Sequence, residues 1–321
     1  MTITNDVDFS GVTYFQLKGN GSPTDAFRCR LYRNNRQKIF VEILIEVVDA
    51  NGQIVTLSDA QLNTIKIVYY GSGEEINDFS VSREPGIFDP LPNFTSTETP
   101  PHSDPTLNQQ QSTRFYLSTG NAPIGLNQLA AKITNKEGIV FHTCSKDVPA
   151  GTVIPKGDKF NSSFIAEVLA PDVSFSDITL ERFDRDDEHI RFFADLDMYY
   201  IRFRNREEIR QCEFIHGTGL FNRQSEGSAF INSAMVFDYK KEDYYHDHRL
   251  ITFPGALLKI LVNSGGNAVV ASRVREISPI GLSVSSAQKA VWVYNKMGNG
   301  VLVELYCKSS GNLIEIREII N

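Results

Sequence analysis

The most constraining feature of the sequence is a run of alternating β-branched residues near its N-terminal end. Every odd position from 39 to 47 is Ile or Val, while the even positions alternate apolar with charged residues. Successive side chains of a β-strand point to opposite faces, so this period of two places one continuous apolar face against a core. The run therefore predicts a long strand in a sheet that is buried on one side.

Short β-prone runs separated by turn residues recur along the chain. Residues 289–296, 301–308 and 313–320 are three such runs, with glycine and asparagine between them. These turn residues adopt the positive φ angles that tight hairpins need, so the region predicts a C-terminal antiparallel meander. The runs on either side of Asn205-Arg206-Glu207 predict a further hairpin.

Helix signals are scarce. The clearest is a capping-box pattern, Ser58 followed three residues later by Gln61, which predicts one short helical turn. No long amphipathic pattern occurs, which argues against the doubly wound α/β folds that house most nucleotide-dependent enzymes. We therefore expect an all-β protein with two or more antiparallel β-sandwich or jelly-roll-like modules and few short helices.

A proline-rich segment, residues 83–112, interrupts this pattern of strands. Its prolines lie among Thr, Ser, Asn and Gln, with little apolar periodicity. Such segments are usually linkers or functional arms. We expect three parts: an N-terminal β-sandwich-like module at 1–82, an arm or linker at 83–112, and a larger β domain at 113–321 that ends in the three-stranded meander.

Charge and hydropathy restrict the partners. The chain has 32 Lys and Arg against 39 Asp and Glu, a net charge of -7. Proteins that bind nucleic acid or anionic lipid carry an excess of basic residues, so we exclude both as primary partners.

No apolar run is long enough to span a bilayer, and the N-terminal residues lack the pattern of a Sec signal. We expect a protein without a transmembrane segment, made in the cytoplasm without a Sec signal and then released or assembled into a particle.

The best candidate for metal chemistry is the polar run at residues 242–248. On a strand, His246 and His248 project from the same face, and two imidazoles at this spacing can ligate one divalent cation. The pair resembles the His-x-His of cupins, which are double-stranded β barrels, although residues 250–253 lack the glutamate of that pattern. A solvated loop is the competing interpretation. The candidate third ligand is Asp243 or His216.

Other motifs are absent from the sequence. The acidic run at residues 181–189 lacks the glycine and the distal glutamate of an EF-hand, so we expect an exposed charged loop there. No nucleophile elbow and no phosphate-binding loop occurs. We therefore predict no catalytic residues and no cofactor beyond a divalent metal.

The remaining candidate contact residues are aromatic residues near polar loops. Tyr244, Tyr245 and Phe221 are candidate anchors for a protein partner or a sugar ring, against the alternative that they pack in a core.

Together these features favour a non-catalytic structural or recognition component of a homo-oligomeric or particle-like bacterial or phage assembly, with a protein partner or itself as the contact. One alternative is a soluble all-β toxin or a carbohydrate-binding lectin. The other is a metal-dependent enzyme that uses His246 and His248.

Overall fold

The structure, a computed structural model, describes residues 7–18, 26–91, 110–143, 152–153, 163–185, 194–227, 229–251, 257–277, 285–308 and 311–319. The chain divides into two compact units, unit 1 (Met1–Pro171) and unit 2 (Asp172–Asn321). The regular secondary structure of both units is almost entirely β-strand, which confirms the predicted all-β class. None of the described helices is long and apolar enough to cross a membrane.

Unit 1 contains two sheets. The strands of the first are β1 (Gly11–Lys18), β3 (Ile39–Val48), β4 (Ile54–Val55), β6 (Ser80–Ser82) and β7 (Gln111–Ser118). Those of the second are β2 (Ala26–Tyr32), β5 (Lys66–Tyr69), β8 (Gly125–Thr134), β9 (Val140–His142), β10 (Thr152–Val153) and β11 (Ser163–Leu169). The first sheet has the order β1-β3-β7-β6, with β4 on β3, and the second has the order β10-β9-β8-β11-β2, with β5 on β8. The second sheet is mixed, because β11 pairs with β2 and β10 pairs with β9 in parallel.

The core of unit 1 lies between its two sheets. The odd residues of β3 are buried and the even ones half-buried, as the sequence alternation predicted. They share one apolar cluster with Phe115 of the first sheet and with Leu129 and Phe164 of the second. Both sheets therefore bury one face against the other, which is the arrangement of a β-sandwich.

The short helix α1 (Asp59–Leu62) follows β4. The Gln61 backbone N–H donates to Ser58 Oγ at 3.2 Å, and the Ser58 N–H donates to Gln61 Oε1 at 3.0 Å. The predicted capping box is confirmed.

The predicted domain boundary differs from the observed one. β7 begins at the end of the proline-rich segment, yet it pairs with β3, and β8 pairs with β5. Strands from both sides of residues 83–112 therefore complete the same two sheets, and the division falls after Pro171 instead. The first residue of the predicted arm is part of the fold, since the Arg83 guanidinium stacks on the Phe115 ring at 3.7 Å. Residues 92–109 lie outside the described residues.

Unit 2 contains two sheets and a two-stranded ribbon. The large sheet consists of β12 (Ile178–Asp184), β13 (Ala194–Phe203), β15 (Gly219–Glu226), β16 (Phe230–Val236), β19 (Val269–Ile277) and β20 (Ser285–Ser286), in the order β12-β13-β19-β16-β15-β20. The small sheet consists of β14 (Ile209–Phe214), β21 (Lys289–Asn295), β22 (Gly300–Lys308) and β23 (Leu313–Glu318) in that order. The ribbon consists of β17 (Tyr244–Arg249) and β18 (Leu257–Val262).

The large sheet is the middle layer of unit 2. On one face its residues Tyr199 and Ile201 share an apolar cluster with Val291 and Val303 of the small sheet. On the other face, residues that include Met198 share a second cluster with the ribbon. Successive residues of β13 thus point to opposite layers, as the pleat of a strand requires.

The C-terminal meander is confirmed, since β21, β22 and β23 pair in sequence and antiparallel. The predicted hairpin around Asn205-Arg206-Glu207 is wrong. β13 pairs with β12 and β19, whereas β14 pairs with β21 in the small sheet. Arg206 has a φ of 61°, and the bend at this residue carries the chain from one sheet to the other.

Candidate functional site

The polar run predicted to bind metal forms β17 of the ribbon. Its side chains alternate, so that Tyr244, His246 and His248 are half-buried or buried while the residues between them are exposed. A strand that covers another sheet shows this alternation. The two histidines therefore share one face, as predicted, but that face points into the protein.

Each histidine has a partner within unit 2. His248 is buried, and its Nε2 lies 3.6 Å from Oε1 of the fully buried Glu276. His246 packs edge-on against the Phe237 ring, with a centroid distance of 5.1 Å. Burial lowers the pKa of His246, and the nearby His248 lowers it further. The neutral imidazole of His246 is favoured in this apolar contact.

The predicted metal site does not assemble. Within the described residues, groups of three carboxylate, imidazole or thiol ligands that converge on a common point do not include His246, His248 or Asp243. Asp243 is exposed, and His216, the alternative third ligand, is exposed in the segment after β14. The physical reason is that β17 directs its histidines toward the large sheet.

The three predicted aromatic contacts have different positions. Tyr245 is 68% exposed on the outer face of the ribbon, where it is available to a partner. Tyr244 is half-buried, and its hydroxyl donates to the backbone oxygen of Asp238 at 2.8 Å. Phe221 is only 2% exposed and belongs to the core between the sheets, which corrects its assignment as a contact residue. A register shift between Leu220 and Asn222 marks an irregularity in β15 at this residue.

An open cleft of about 580 Å³ in unit 1 is lined by polar residues. The Tyr69 hydroxyl donates to Asp78 at its wall, and this contact, after burial, raises the pKa of Tyr69. Ligand pockets for small molecules are mostly apolar, so this lining does not favour such a ligand. The lining residues are Tyr69, Glu74, Glu75, Asn77, Asp78 and Asn121.

A cluster of carboxylates and arginines lies on the large sheet of unit 2. Asp184, Asp195 and Asp197 each offer an oxygen within 4.8 Å of the other two, and we call these three residues the acidic cluster. The strand register explains the convergence. Asp184 of β12 is directly opposite Asp197 of β13, and Asp195 lies two residues earlier on the same face of β13.

Two guanidinium groups partly neutralise the acidic cluster. Arg273 is directly opposite Asp197 on β19. Its Nε donates to Asp197 Oδ2 at 2.6 Å, and its Nη2 donates both to Asp195 Oδ2 at 2.8 Å and to Asp197 Oδ2. Arg182 Nη2 donates to the same Asp197 oxygen at 2.8 Å. Asp197 is fully buried, so these contacts offset the cost of removing a charge from water.

Three polar atoms in this region have no hydrogen-bond partner among the described residues. They are Asp197 Oδ1, Arg273 Nη1 and the Tyr199 hydroxyl oxygen, all in residues that are at most 1% exposed. Burial raises the pKa of Tyr199, and the charge of the Asp197 carboxylate raises it further, whereas the backbone N–H of Ile314 lowers it.

Sequence reasoning missed this cluster. The run at residues 181–189 was predicted to be an exposed loop, but residues 181–184 belong to β12. Asp184 is a member of the acidic cluster, and Arg182 contacts it. Residues 186–193 lie outside the described residues. The sequence does contain a signal for the cluster. Two β-prone runs each carry a pair of charged residues at alternate positions, Asp195 with Asp197 and Arg273 with Arg275.

Comparison with known proteins adds no relative: no family model matches the chain, and no curated protein matches it either.

Proposed function

We propose that the protein is a non-catalytic component of a homo-oligomeric assembly and that the ribbon of unit 2 contacts a second copy of the chain. The observation that carries this proposal is the open ribbon. Within the described residues, β17 and β18 pair only with each other, so each strand has one edge without a neighbouring strand. Free strand edges offer rows of N–H and C=O groups to another chain.

The outer face of the ribbon supports the same proposal. Tyr245 is 68% exposed and Leu257 is 54% exposed. Asp247 on β17 is directly opposite Lys259 on β18, so the same face carries both signs of charge. A surface with apolar groups and both charges is complementary to itself across a two-fold axis, which is the commonest symmetry of soluble oligomers.

Sedimentation velocity over a wide concentration range tests the proposal. The test variant is Tyr245→Ser with Leu257→Ser, in which both side chains are already largely exposed, so the fold of the monomer should be retained. The matched control is Ile124→Ser with Leu126→Ser, which removes apolar side chains that are 53% and 63% exposed in unit 1.

We expect the wild-type chain to self-associate and the ribbon variant to associate more weakly. Two apolar side chains that become partly buried in a contact contribute about 2 kcal/mol, which corresponds to a roughly thirtyfold higher Kd. The control variant should keep the wild-type Kd. A strictly monomeric wild type, or equal weakening by both variants, would overturn the proposal.

Glycan binding is a second candidate function, favoured by an aromatic pair on the small sheet. Trp292 and Tyr294 stack with a centroid distance of 5.8 Å and an interplanar angle of 10°. The Tyr294 hydroxyl donates to Glu213 Oε2 at 3.2 Å, so a carboxylate lies beside the rings. Tyr294 is only 5% exposed, so the half-buried Trp292 is the ring with accessible surface. An aromatic ring next to polar groups suits the alternating apolar and hydroxyl surfaces of sugar rings.

A glycan array with three proteins tests this second function. Glycan binding by the wild type and by Tyr245→Ser, but not by Trp292→Ala, would support a site on the small sheet. A wild type that binds no glycan, or a Trp292→Ala variant that binds as the wild type does, contradicts it.

A further inference from the structure

We propose that a pocket in unit 2 binds a neutral polyhydroxyl ligand of about the size of one sugar ring, and that the Asn295 amide donates to a hydroxyl of this ligand. The pocket has a volume of about 310 Å³, near the lower end of the range for small-molecule sites. The inference depends neither on self-association through the ribbon nor on the stacked pair of Trp292 and Tyr294, because other residues line the pocket.

Three segments of unit 2 form the walls of the pocket. They are residues 172–177, which end in a short 3-10 helix (Phe175–Asp177), the bend at 203–207 after β13, and residues 295–297 in the turn between β21 and β22. Direct contacts join the three segments. The backbone N–H of Arg204 donates to the backbone oxygen of Asp177 at 2.6 Å, and Asn299 Nδ2 donates to Asp172 Oδ1 at 2.7 Å. The pocket is therefore preformed, as ligand sites usually are.

The first argument is the side chain of Asn295, which lines the pocket and is only 3% exposed. Its Oδ1 accepts from the backbone N–H groups of Met297 and Asn299, each at 3.0 Å, and these two bonds fix the orientation of the amide. Its Nδ2 donates to no group among the described residues. Because a buried amide N–H nearly always has an acceptor, we assign that role to an oxygen of the ligand.

The second argument is the mixture of charged groups in the lining. Asp177 and Glu207 each use one carboxylate oxygen for contacts with their neighbours, Oδ2 and Oε2, so the other oxygen of each is available as an acceptor in the part of the chain that the structure describes. Arg204 donates through Nε and Nη2 to the backbone oxygen of Ser176, which leaves Nη1 as a donor. The lining therefore offers both donors and acceptors to a ligand.

A hydroxyl is the ligand group that satisfies such a lining, because it both donates and accepts hydrogen bonds. A metal ion or an ammonium group accepts no hydrogen bond, so it leaves Asn295 Nδ2 without an acceptor. A ligand carboxylate donates none, and it is repelled by Asp177 and Glu207. Several hydroxyls on one small neutral molecule satisfy the donors and the acceptors together.

The apolar part of the lining suits the carbon skeleton of this ligand. Val173, Phe203 and Met297 line the pocket beside the polar groups. Phe203 is 2% exposed, and Val173 packs against the apolar core of unit 2, so both side chains are held in place. Apolar walls with a few placed polar groups are typical of small-molecule sites, and the cleft of unit 1 is lined differently.

Two-dimensional amide NMR of the nitrogen-labelled full chain tests the site, because the side-chain amide signals of Asn295 report on their own acceptor. The probes are glucose, galactose, mannose and myo-inositol. We expect at least one probe to shift these signals in a saturable way. The signals are assigned by their loss in Asn295→Asp, a variant that keeps an oxygen for the N–H groups of Met297 and Asn299.

A matched pair of variants tests the lining. Glu207→Ala removes an acceptor of the pocket and should raise the Kd of the bound probe roughly tenfold or more, because hydrogen bonds to charged groups are strong. The control is Glu208→Ala, which removes the neighbouring carboxylate; this group does not line the pocket and pairs with Lys241, so the Kd should be unchanged. If Asn295→Asp fails to fold, the comparison of these two variants still decides the question.

Several results would overturn the proposal. If no probe shifts the Asn295 signals, water alone fills the pocket. If the diamine putrescine binds more tightly than every polyol, the carboxylates act without the amide and the ligand is a cation. Equal weakening by Glu207→Ala and Glu208→Ala would place the polyol outside the pocket. Binding that is lost in Trp292→Ala but kept in Glu207→Ala would place it on the small sheet, which would support the second candidate function instead.

Discussion

Replacement of Arg273 by methionine is the sharpest test of how unit 2 is stabilised. Methionine keeps much of the volume of the side chain but removes the guanidinium that bridges Asp195 and Asp197. The Asp197 carboxylate is fully buried, and Arg182, whose side chain is 48% exposed, would remain as its only cationic contact among the described residues. Loss of one partner of a buried ion pair costs about 3 to 5 kcal/mol, because the other charge stays desolvated.

Urea unfolding measures this loss in unit 2 alone. The chain has a single tryptophan, Trp292, and it lies in the small sheet, so its fluorescence reports the unfolding of that unit. For a unit of this size the urea m-value is about 2 kcal/mol/M, and Arg273→Met should lower the midpoint by about 2 M.

Two further variants separate the ion pair from general packing. Arg182→Met removes a half-exposed partner and should cost about 1 kcal/mol or less. In the double variant Arg273→Met with Asp197→Asn, no unpaired charge remains buried, so stability should recover in part. The reasoning is refuted if Arg273→Met costs no more than Arg182→Met, or if the double variant is as unstable as Arg273→Met.

Three other predictions concern single side chains. The pKa of His246 is lowered by burial and then by His248, so below about pH 6.5 the unfolded state binds a proton that the folded state resists. The urea midpoint measured by Trp292 fluorescence should therefore decrease when the pH is lowered from about 7 to 5, and the decrease should be smaller in His246→Phe. An equal decrease in the two proteins would contradict this. Gly300→Ala places a Cβ against the Tyr294 ring and should lower the free energy of unfolding by about 1 to 3 kcal/mol in the same assay. An unchanged urea midpoint would show that the ring moves aside at no cost. Ser58→Ala removes the capping box and should destabilise unit 1 by about 1 kcal/mol in calorimetry, whereas an unchanged Tm would show that the cap contributes nothing.

The fold class could be predicted because it depends on local patterns. The period of two in β3 places Ile39 to Val47 in a core whatever the partner strand is. The turns of the C-terminal meander are equally local, since Gly298 and Gly311 have the positive φ angles of 80° and 82° that these residues favour. Such features need no knowledge of the rest of the chain.

The domain boundary could not be predicted in the same way, because it depends on which strands pair. Residues 83–112 have the composition of a linker, but β3 pairs with β7 across this whole segment. A local pattern predicts that a strand exists and which of its faces is buried. It does not identify a neighbour that lies more than 60 positions away.

The acidic cluster was missed for two reasons. β12 is an edge strand of the large sheet, and its last three residues are exposed and include Arg182 and Asp184, which is the pattern of a loop. In addition, Arg273 and Asp197 are 76 positions apart, so their contact follows only from the register of β13 with β19. For the histidines the local prediction was right and the conclusion was not. The spacing of His246 and His248 correctly placed them on one face of a strand, but it did not show that the ribbon turns this face inward.

The same register gives the charged residues a role in the specificity of the fold. A shift of β13 by one residue would exchange the faces of Asp197 and Met198, and would move a carboxylate into the apolar layer under the ribbon. A shift by two residues would keep the faces and would place Asp197 opposite Ala271 in one direction or opposite Arg275 in the other. Apolar side chains tolerate such changes at modest cost, whereas a buried carboxylate without its guanidinium does not. The charged residues of β13 and β19 therefore disfavour a one-residue shift and a two-residue shift toward Ala271, which hydrophobic burial alone would allow.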